Sequence, residues 1–353
     1  MRAAVYYGRG DVRVENVPAP PAPEFGAVRL EILRGAICGT DSTEFAHGPK
    51  MISLSEPHPG SGHGGPVVLG HEFVGRVVEL GDGVGGLAVG DRVVSGAGVS
   101  CGECSWCRAG RTNLCAHYYT LGFHRDGGLA EQVLTPASIC VPVPDGCDDD
   151  AAAMAQPFAV ALHGLNRAGL QDGETLAVIG TGGIGAFLVT AAAARGHGEV
   201  IAIDVAPDRL DTAAVLGAAH LVDARSEDPV QAVREITGGV GADVVIDAAG
   251  APGTLDQALR ATRRGGRVLM VGMPAEPPRI DVLDAILREV ELTTTVAHVC
   301  GTDLPEALEL LSTGKIAERV VERVIGLEQI VAEGLEPLAS GTARGKILVD
   351  VNG

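Results

Sequence analysis

Apolar positions recur along this chain in two different patterns. Up to about residue 150, β-branched runs such as Val28-Arg29-Leu30-Glu31-Ile32-Leu33 and Phe73-Val74-Gly75-Arg76-Val77-Val78-Glu79 are separated by glycine and proline, which predicts short strands joined by turns. Further on, apolar runs at 176–179, 200–203, 220–222, 244–246, 268–271 and 292–296 alternate with helical stretches. Six runs at that spacing predict a doubly wound, parallel six-stranded sheet. The composition changes at Val141-Pro142-Val143-Pro144-Asp145-Gly146, and the acidic run Asp148-Asp149-Asp150 suits the start of the alanine-rich helix that follows. The pattern therefore divides into a mostly β domain at 1–150, an α/β domain at 151–299, and a return to the first domain over 300–353. In that last part the regularity stops after about Cys300, and residues 346–351 read as a strand.

The first predicted strand of the α/β domain runs into Gly180-x-Gly182-x-x-Gly185, followed by a helix-like segment at 186–194. In that setting Gly180 permits a tight turn, Gly182 lets backbone approach a pyrophosphate, and Gly185 allows helix to pack on sheet, with phosphates at the helix N-terminus. Gly183 and Ile184, inside the turn, belong to the same candidate cofactor site. Asp204 closes the next strand, where a carboxylate accepts hydrogen bonds from ribose hydroxyls and repels a 2′-phosphate, so the expected cofactor is NAD. Arg209 lies five positions on and is expected to flank the adenosine.

Charge narrows the partners. With 27 basic and 45 acidic side chains the net charge is −18, which opposes binding to nucleic acid or to an anionic membrane. No apolar run approaches the roughly 18 residues needed to span a bilayer, and residues 1–8 have no signal-peptide character. A cytoplasmic protein acting on a small molecule is expected, with Cys140, Cys147 and Cys300 as small buried apolar residues.

Four further cysteines, Cys101, Cys104, Cys107 and Cys115, stand in one short stretch. Their spacing lets four thiolates close around a tetrahedral zinc, and the glycine-rich surroundings suggest a loop (96–116) shaped by metal. Such a site offers no open position to substrate and so reads as structural; disulfides and an iron–sulfur cluster are the alternatives.

Taken in order, Cys38-Gly39-Thr40-Asp41, Gly70-His71-Glu72, the four-cysteine lobe, and the glycine fingerprint with Asp204 resemble the zinc-dependent medium-chain alcohol dehydrogenases over nearly the whole chain. Gly122-Phe123 with Asp126-Gly127-Gly128, and the segment from Gln156 to His163, look closest to the butanediol and polyol (sorbitol) branch, beside threonine dehydrogenases. The resemblance implies a Rossmann domain joined to a GroES-like catalytic domain, two zinc ions per chain, NAD, and a homodimer or homotetramer.

It also implies roles. A catalytic zinc with an open position stabilises the alkoxide from which hydride leaves, and Cys38 and His71 are suitable ligands. Glu72 would complete the shell or hold a salt bridge behind it, and Asp41 would accept a hydrogen bond from the second nitrogen of His71. Thr40 matches the hydroxyl that takes the substrate proton. Two positions depart from the family pattern. Thr43 stands where relatives often have a relay histidine, with His47 as a candidate substitute, and Gln156 stands where the branch usually has a glutamate. The uncharged amide of Gln156 can bind zinc directly or through water, and is expected to leave the metal more electrophilic and more weakly held. A glycine- and proline-rich insertion at 48–66, with His58 and His63, precedes His71 and could roof a pocket lined by Leu121 and Phe123. Such a pocket suits a vicinal diol or polyol; threonine, an amino-alcohol or an aminocyclitol are alternatives for the same chemistry. A nucleotide-binding protein with impaired catalysis is the non-enzymatic one.

Overall fold

The computed structural model describes residues 1–313 and 316–353. They form two compact units, one of residues 1–159 with 298–353, the other of residues 160–297. The division falls inside the helix Ala155–Ala168 and not at the proline-rich stretch near residue 150. The reason is local: the helix Asp149–Ala153 packs on the strands Ala27–Ala36 and Glu72–Leu80. Asp149 pairs with Arg92 and Asp150 with Arg34, both at 2.6 Å, which ties this helix to the first unit.

In the first unit the strand Ala27–Ala36 is central. It pairs antiparallel with Glu72–Leu80 and Gln132–Pro136 and, at its far end, with Lys346–Asp350. The alternation expected of a half-exposed strand is visible in Val28, Leu30 and Ile32, which are buried, against Glu31, which is exposed. These side chains meet Phe73, Val77, Val93, Leu129 and Val349 in one core.

The second unit is a parallel sheet in the order His220–Asp223, Val200–Asp204, Leu176–Ile179, Ala242–Asp247, Thr262–Met270, Glu291–Thr294. This is the doubly wound order, and each predicted apolar run lies in one of these strands or overlaps it. Strands buried on both faces need no alternation, and Leu176 to Ile179 are accordingly all buried.

One sequence reading is corrected. Regularity does not stop at Cys300: a helix spans Cys300–Thr313, and its inward residues Leu304, Ala307, Leu308 and Leu311 follow helical spacing. Pro305, the sixth residue, lies inside the helix, which continues through it to Thr313.

Candidate active site and metal centres

Local folding sets the first two ligands. Cys38 precedes the helix Gly39–His47, and the Asp41 carboxylate in its first turn accepts from the Cys38 N–H at 2.8 Å through Oδ2, closing the helix start around the cysteine. His71 and Glu72 lie where the chain enters the strand Glu72–Leu80. Gly70, just before them, has φ +102°, and Gly122 and Gly127 press backbone against it so closely that a Cβ on Gly122 would meet Gly70 atoms at 2.7–2.8 Å. The Gly122-Phe123 and Asp126-Gly127-Gly128 segments thus build the turn that presents His71, with Asp126 accepting from the Val68 N–H at 3.0 Å.

The ligand atoms of Cys38, His71 and Glu72 all lie within 4.8 Å of one another. Three such groups, with His71 and Glu72 buried, converge as a thiolate, imidazole and carboxylate donor set that fits zinc. Thr40 Oγ1 lies 3.4 Å from His71 Nε2, which places its hydroxyl beside the cluster. Phe123 packs on His71 with ring centroids 4.8 Å apart, and Leu121 is fully buried nearby in sequence.

Asp41 needs a correction. Its Oδ1 stands 3.5 Å from His71 Nδ1, longer than a formed hydrogen bond, and neither atom has another hydrogen-bond partner among the described residues. The other carboxylate oxygen is committed to the Cys38 N–H, which limits how closely Asp41 approaches the ring. Asp41 therefore acts on His71 mainly through charge. Burial opposes a proton on His71, yet Asp41 and Cys38 together raise its basicity well above that of an ordinary imidazole.

The structure adds a residue that sequence spacing does not reveal. Lys346, from the strand Lys346–Asp350, forms an ion pair with Glu72; the two side chains are 11% and 0% exposed. Burial disfavours the ammonium, but Glu72, Cys38 and Asp41 outweigh that and raise its pKa. The salt-bridge alternative for Glu72 is thus present, while its other oxygen lacks a hydrogen-bond donor among the described residues. Cys38, Glu72 and Asp41 as anions, against Lys346 and a divalent ion, sum to zero.

Thr43 donates to the Gly39 carbonyl at 2.9 Å and serves the helix backbone. His47 is exposed in the last turn of the same helix, and Gln156 is half-buried at the start of Ala155–Ala168.

The insertion at 48–66 is better ordered than its composition suggests. Buried Glu44 accepts from the N–H groups of Lys50 and Met51, at 2.9 and 2.7 Å, and so pins its start. His58 stacks on His124 at 4.0 Å between centroids, His124 meets Phe123 edge-on at 6.4 Å, and Ser61 Oγ donates to the His124 carbonyl. A chain of rings therefore runs from the insertion to the ligand His71. Both nitrogens of His124 are engaged: Nδ1 accepts from the Thr120 N–H at 3.0 Å and Nε2 faces the Met51 carbonyl at 3.1 Å. Burial, then His58, lowers its pKa to about 4.

The second metal centre is the four-cysteine lobe. All four sulfurs lie within 4.8 Å of one another, with Cys104 and Cys107 at 3.5 Å, too far for a disulfide. Backbone N–H groups of Cys107 and Ala116 lower the Cys104 thiol to about 6, whereas burial raises Cys115 to about 11. Four convergent thiols suit a closed tetrahedral zinc. Cys147 and Cys300 are buried, as their reading as small apolar residues requires, and Cys140 is half-buried.

In the second unit, Gly180 has φ +87° and Gly185 packs so tightly on the turn that a Cβ there would lie 1.8 Å from the Gly180 carbonyl. The helix Gly183–Ala194 starts at this turn, so its first N–H groups, including those of Gly183, Ile184 and Gly185, are available to an anion. Asp204 is buried at the end of its strand. Its Oδ2 accepts from the Thr181 N–H at 2.8 Å, its Oδ1 from the Ala206 N–H at 2.9 Å, and the Arg209 guanidinium lies 4.0 Å away beside Gly182.

Residues 24–145 match the alcohol dehydrogenase GroES-like domain and residues 183–313 the zinc-binding dehydrogenase domain. (R,R)-butanediol dehydrogenase of Bacillus subtilis (strain 168) is 33% identical over all of both chains. Sorbitol dehydrogenase of the same organism is 31% identical over 93% of this chain and 91% of its own. The crystal structure of 2R,3R-butanediol dehydrogenase from Bacillus subtilis superposes with a TM-score of 0.92 over 99% of each chain, at 31% identity. A GroES-like fold, a doubly wound nucleotide fold and two zinc-ligand clusters, matched end to end by these relatives, make this chain a zinc-dependent medium-chain alcohol dehydrogenase of the polyol and butanediol branch.

Proposed function

We propose that this enzyme oxidises a secondary alcohol of a vicinal diol, of the 2,3-butanediol and acetoin type, or of a polyol, to the ketone with NAD, reversibly. The observation that carries the reading is the buried cluster of Cys38, His71 and Glu72 with the Thr40 hydroxyl beside it. Cys38, His71 and Glu72 would hold the catalytic zinc, with the Gln156 amide as a further ligand directly or through water, while Cys101, Cys104, Cys107 and Cys115 hold the structural one. A zinc held there would supply a Lewis acid for the substrate oxygen, and NAD would supply the hydride acceptor.

The chain's own residues supply the rest. Thr40 accepts the hydroxyl proton and passes it towards solvent; Thr43 is engaged with a carbonyl and offers no base, so release proceeds through water or His47. Asp41 keeps His71 electron-rich, and Lys346 pairs with the Glu72 carboxylate in a buried setting. Phe123 and Leu121 provide an apolar wall that excludes water, which suits a short carbon backbone carrying adjacent hydroxyls. Asp204 favours the free 2′-hydroxyl of NAD over the phosphate of NADP, and Arg209 flanks the adenosine.

We also infer assembly with further copies of the chain, as a homodimer or homotetramer. The helix Val282–Leu287 exposes Val282, Leu283, Ile286 and Leu287 at 54–66%, next in sequence to the edge strand Glu291–Thr294 with half-exposed Leu292. An unpaired edge beside an apolar helix is a surface that a second copy covers well. A cytoplasmic location accords with eight unpaired cysteines, and no helix of the described residues is long and apolar enough to cross a membrane.

The test is reduction of NAD and NADP with both stereoisomers of butane-2,3-diol, polyols, threonine and simple secondary alcohols, together with metal analysis. Two zinc ions per chain and a preference for one diol or polyol stereoisomer with NAD are expected. One zinc per chain, or turnover of threonine alone, would overturn the reading.

A further inference from the structure

The nucleotide-binding unit has a cavity of about 390 Å³ lined by Arg234, Arg263, Arg264 and Arg288 with Gly239, Val240 and Thr262. It lies at the N-terminal ends of the strands Ala242–Asp247 and Thr262–Met270. The glycine turn of the cofactor site follows the C-terminal end of the neighbouring strand Leu176–Ile179, so the cavity sits at the other end of the sheet. Four guanidiniums in one cavity are unexpected in a chain of net charge −18.

Their partners differ. Arg263 is neutralised by Asp243 at 2.6 Å and Arg288 by Asp284 at 2.5 Å. Arg288 is otherwise structural, donating to the Leu259 and Thr262 carbonyls. Arg234 and Arg264 are fixed instead by backbone: Arg234 Nη2 donates to the Arg260 carbonyl and Arg264 Nη1 to the Leu287 carbonyl, each at 3.1 Å. Among the described residues neither has a carboxylate at ion-pair distance. Arg260 and Asp256, at 3.9 Å, add no net charge. Four cations less two anions leave two positive charges, carried by the exposed side chains of Arg234 and Arg264, each fixed by a neutral carbonyl and lining the cavity; Asp284, already paired with Arg288, also feels Arg234.

Capping of the helix Thr254–Ala261 accounts for Arg288 and for one donor of Arg234. It does not account for Arg264 or for the excess charge. We propose that this cavity binds a phosphate dianion, as a phosphorylated small molecule or as the free ion, with Arg234 and Arg264 as its principal donors. Paired N–H groups on planar guanidiniums match two oxygens of one phosphate.

Isothermal titration calorimetry of the zinc-loaded enzyme at pH 8, with NAD saturating so that the glycine turn is filled, tests this with glycerol 3-phosphate, inorganic phosphate and acetate. One phosphate-bearing ligand per chain is expected, with acetate silent. Tighter binding of glycerol 3-phosphate assigns the site to a phosphate monoester; binding of inorganic phosphate alone assigns it to the free ion. R264Q and R234Q should each weaken binding at least about tenfold while leaving NAD affinity intact. R264K, which keeps the charge without the planar fork, should fall between and guards against loss of folding in R234Q. Heat from neither phosphate ligand, or unchanged binding in R264Q, would overturn the proposal.

Discussion

Replacing Lys346 by Met tests the charge balance of the buried cluster most directly. The substitution keeps a long apolar stem in the strand and removes only the ammonium. Glu72, whose side chain has no exposed surface, would then lose its paired ammonium while Cys38 and Asp41 stay beside it. Breaking a buried ion pair by deleting one partner typically costs about 3–5 kcal/mol, because the remaining charge is desolvated and unpaired. A divalent ion at Cys38, His71 and Glu72 replaces the missing charge, so the loss should be large in metal-stripped protein and clearly smaller in zinc-loaded protein. Urea unfolding of parent and K346M, each stripped and each zinc-loaded, reads both quantities. Comparing variant with parent under the same treatment cancels the contribution of the four-cysteine lobe. Chelator competition should also show the variant holding its catalytic zinc about tenfold or more tightly, since one competing positive charge has gone. A loss below about 1 kcal/mol in the stripped protein, or an equal loss with and without zinc, would refute the reasoning.

Other outcomes follow from the same geometry. Q156E adds a negative charge to the ligand set and should retain zinc against a chelator at least about tenfold better than the parent, measured by metal content after dialysis. C104S should lose one zinc per chain and melt at a lower temperature while still binding NAD, because the lobe belongs to the other unit. The pKa of His124 is lowered to about 4 from an ordinary 6.5, so the unfolded chain binds a proton more readily between those values. Stability from this group is therefore full above about 6.5 and falls as the pH drops towards 4; H124F, which keeps the stacked ring without titrating, should flatten that slope in unfolding experiments. D204N should bind NAD about tenfold more weakly and lose part of its preference over NADP, read from kcat/KM with each cofactor.

What could be read in the sequence was what is local. Six strands announce themselves as apolar runs, the glycine turn needs only its own spacing, and four cysteines within one loop define their own site. Cys38, His71 and Glu72 were identifiable from their short motifs, although nothing in those motifs shows that they converge. Lys346 was not legible: an ordinary lysine opening an ordinary strand acquires its meaning only when that strand pairs with Ala27–Ala36 and sets it against Glu72. His58 and His124 are likewise joined by tertiary packing, so the insertion looked shapeless while its order came from elsewhere. The helix Cys300–Thr313 could have been found, since its buried positions keep helical spacing; Pro305 obscured it.

The placement of Lys346 has a consequence for biosynthesis. The ribosome delivers the residues that bind the catalytic metal early, then the whole nucleotide-binding unit, and only afterwards the strand with the counter-charge. Until that strand emerges, the nascent chain has an electrostatically incomplete pocket that a metal ion could hold together, so zinc supply during translation is expected to influence how much active enzyme a cell accumulates.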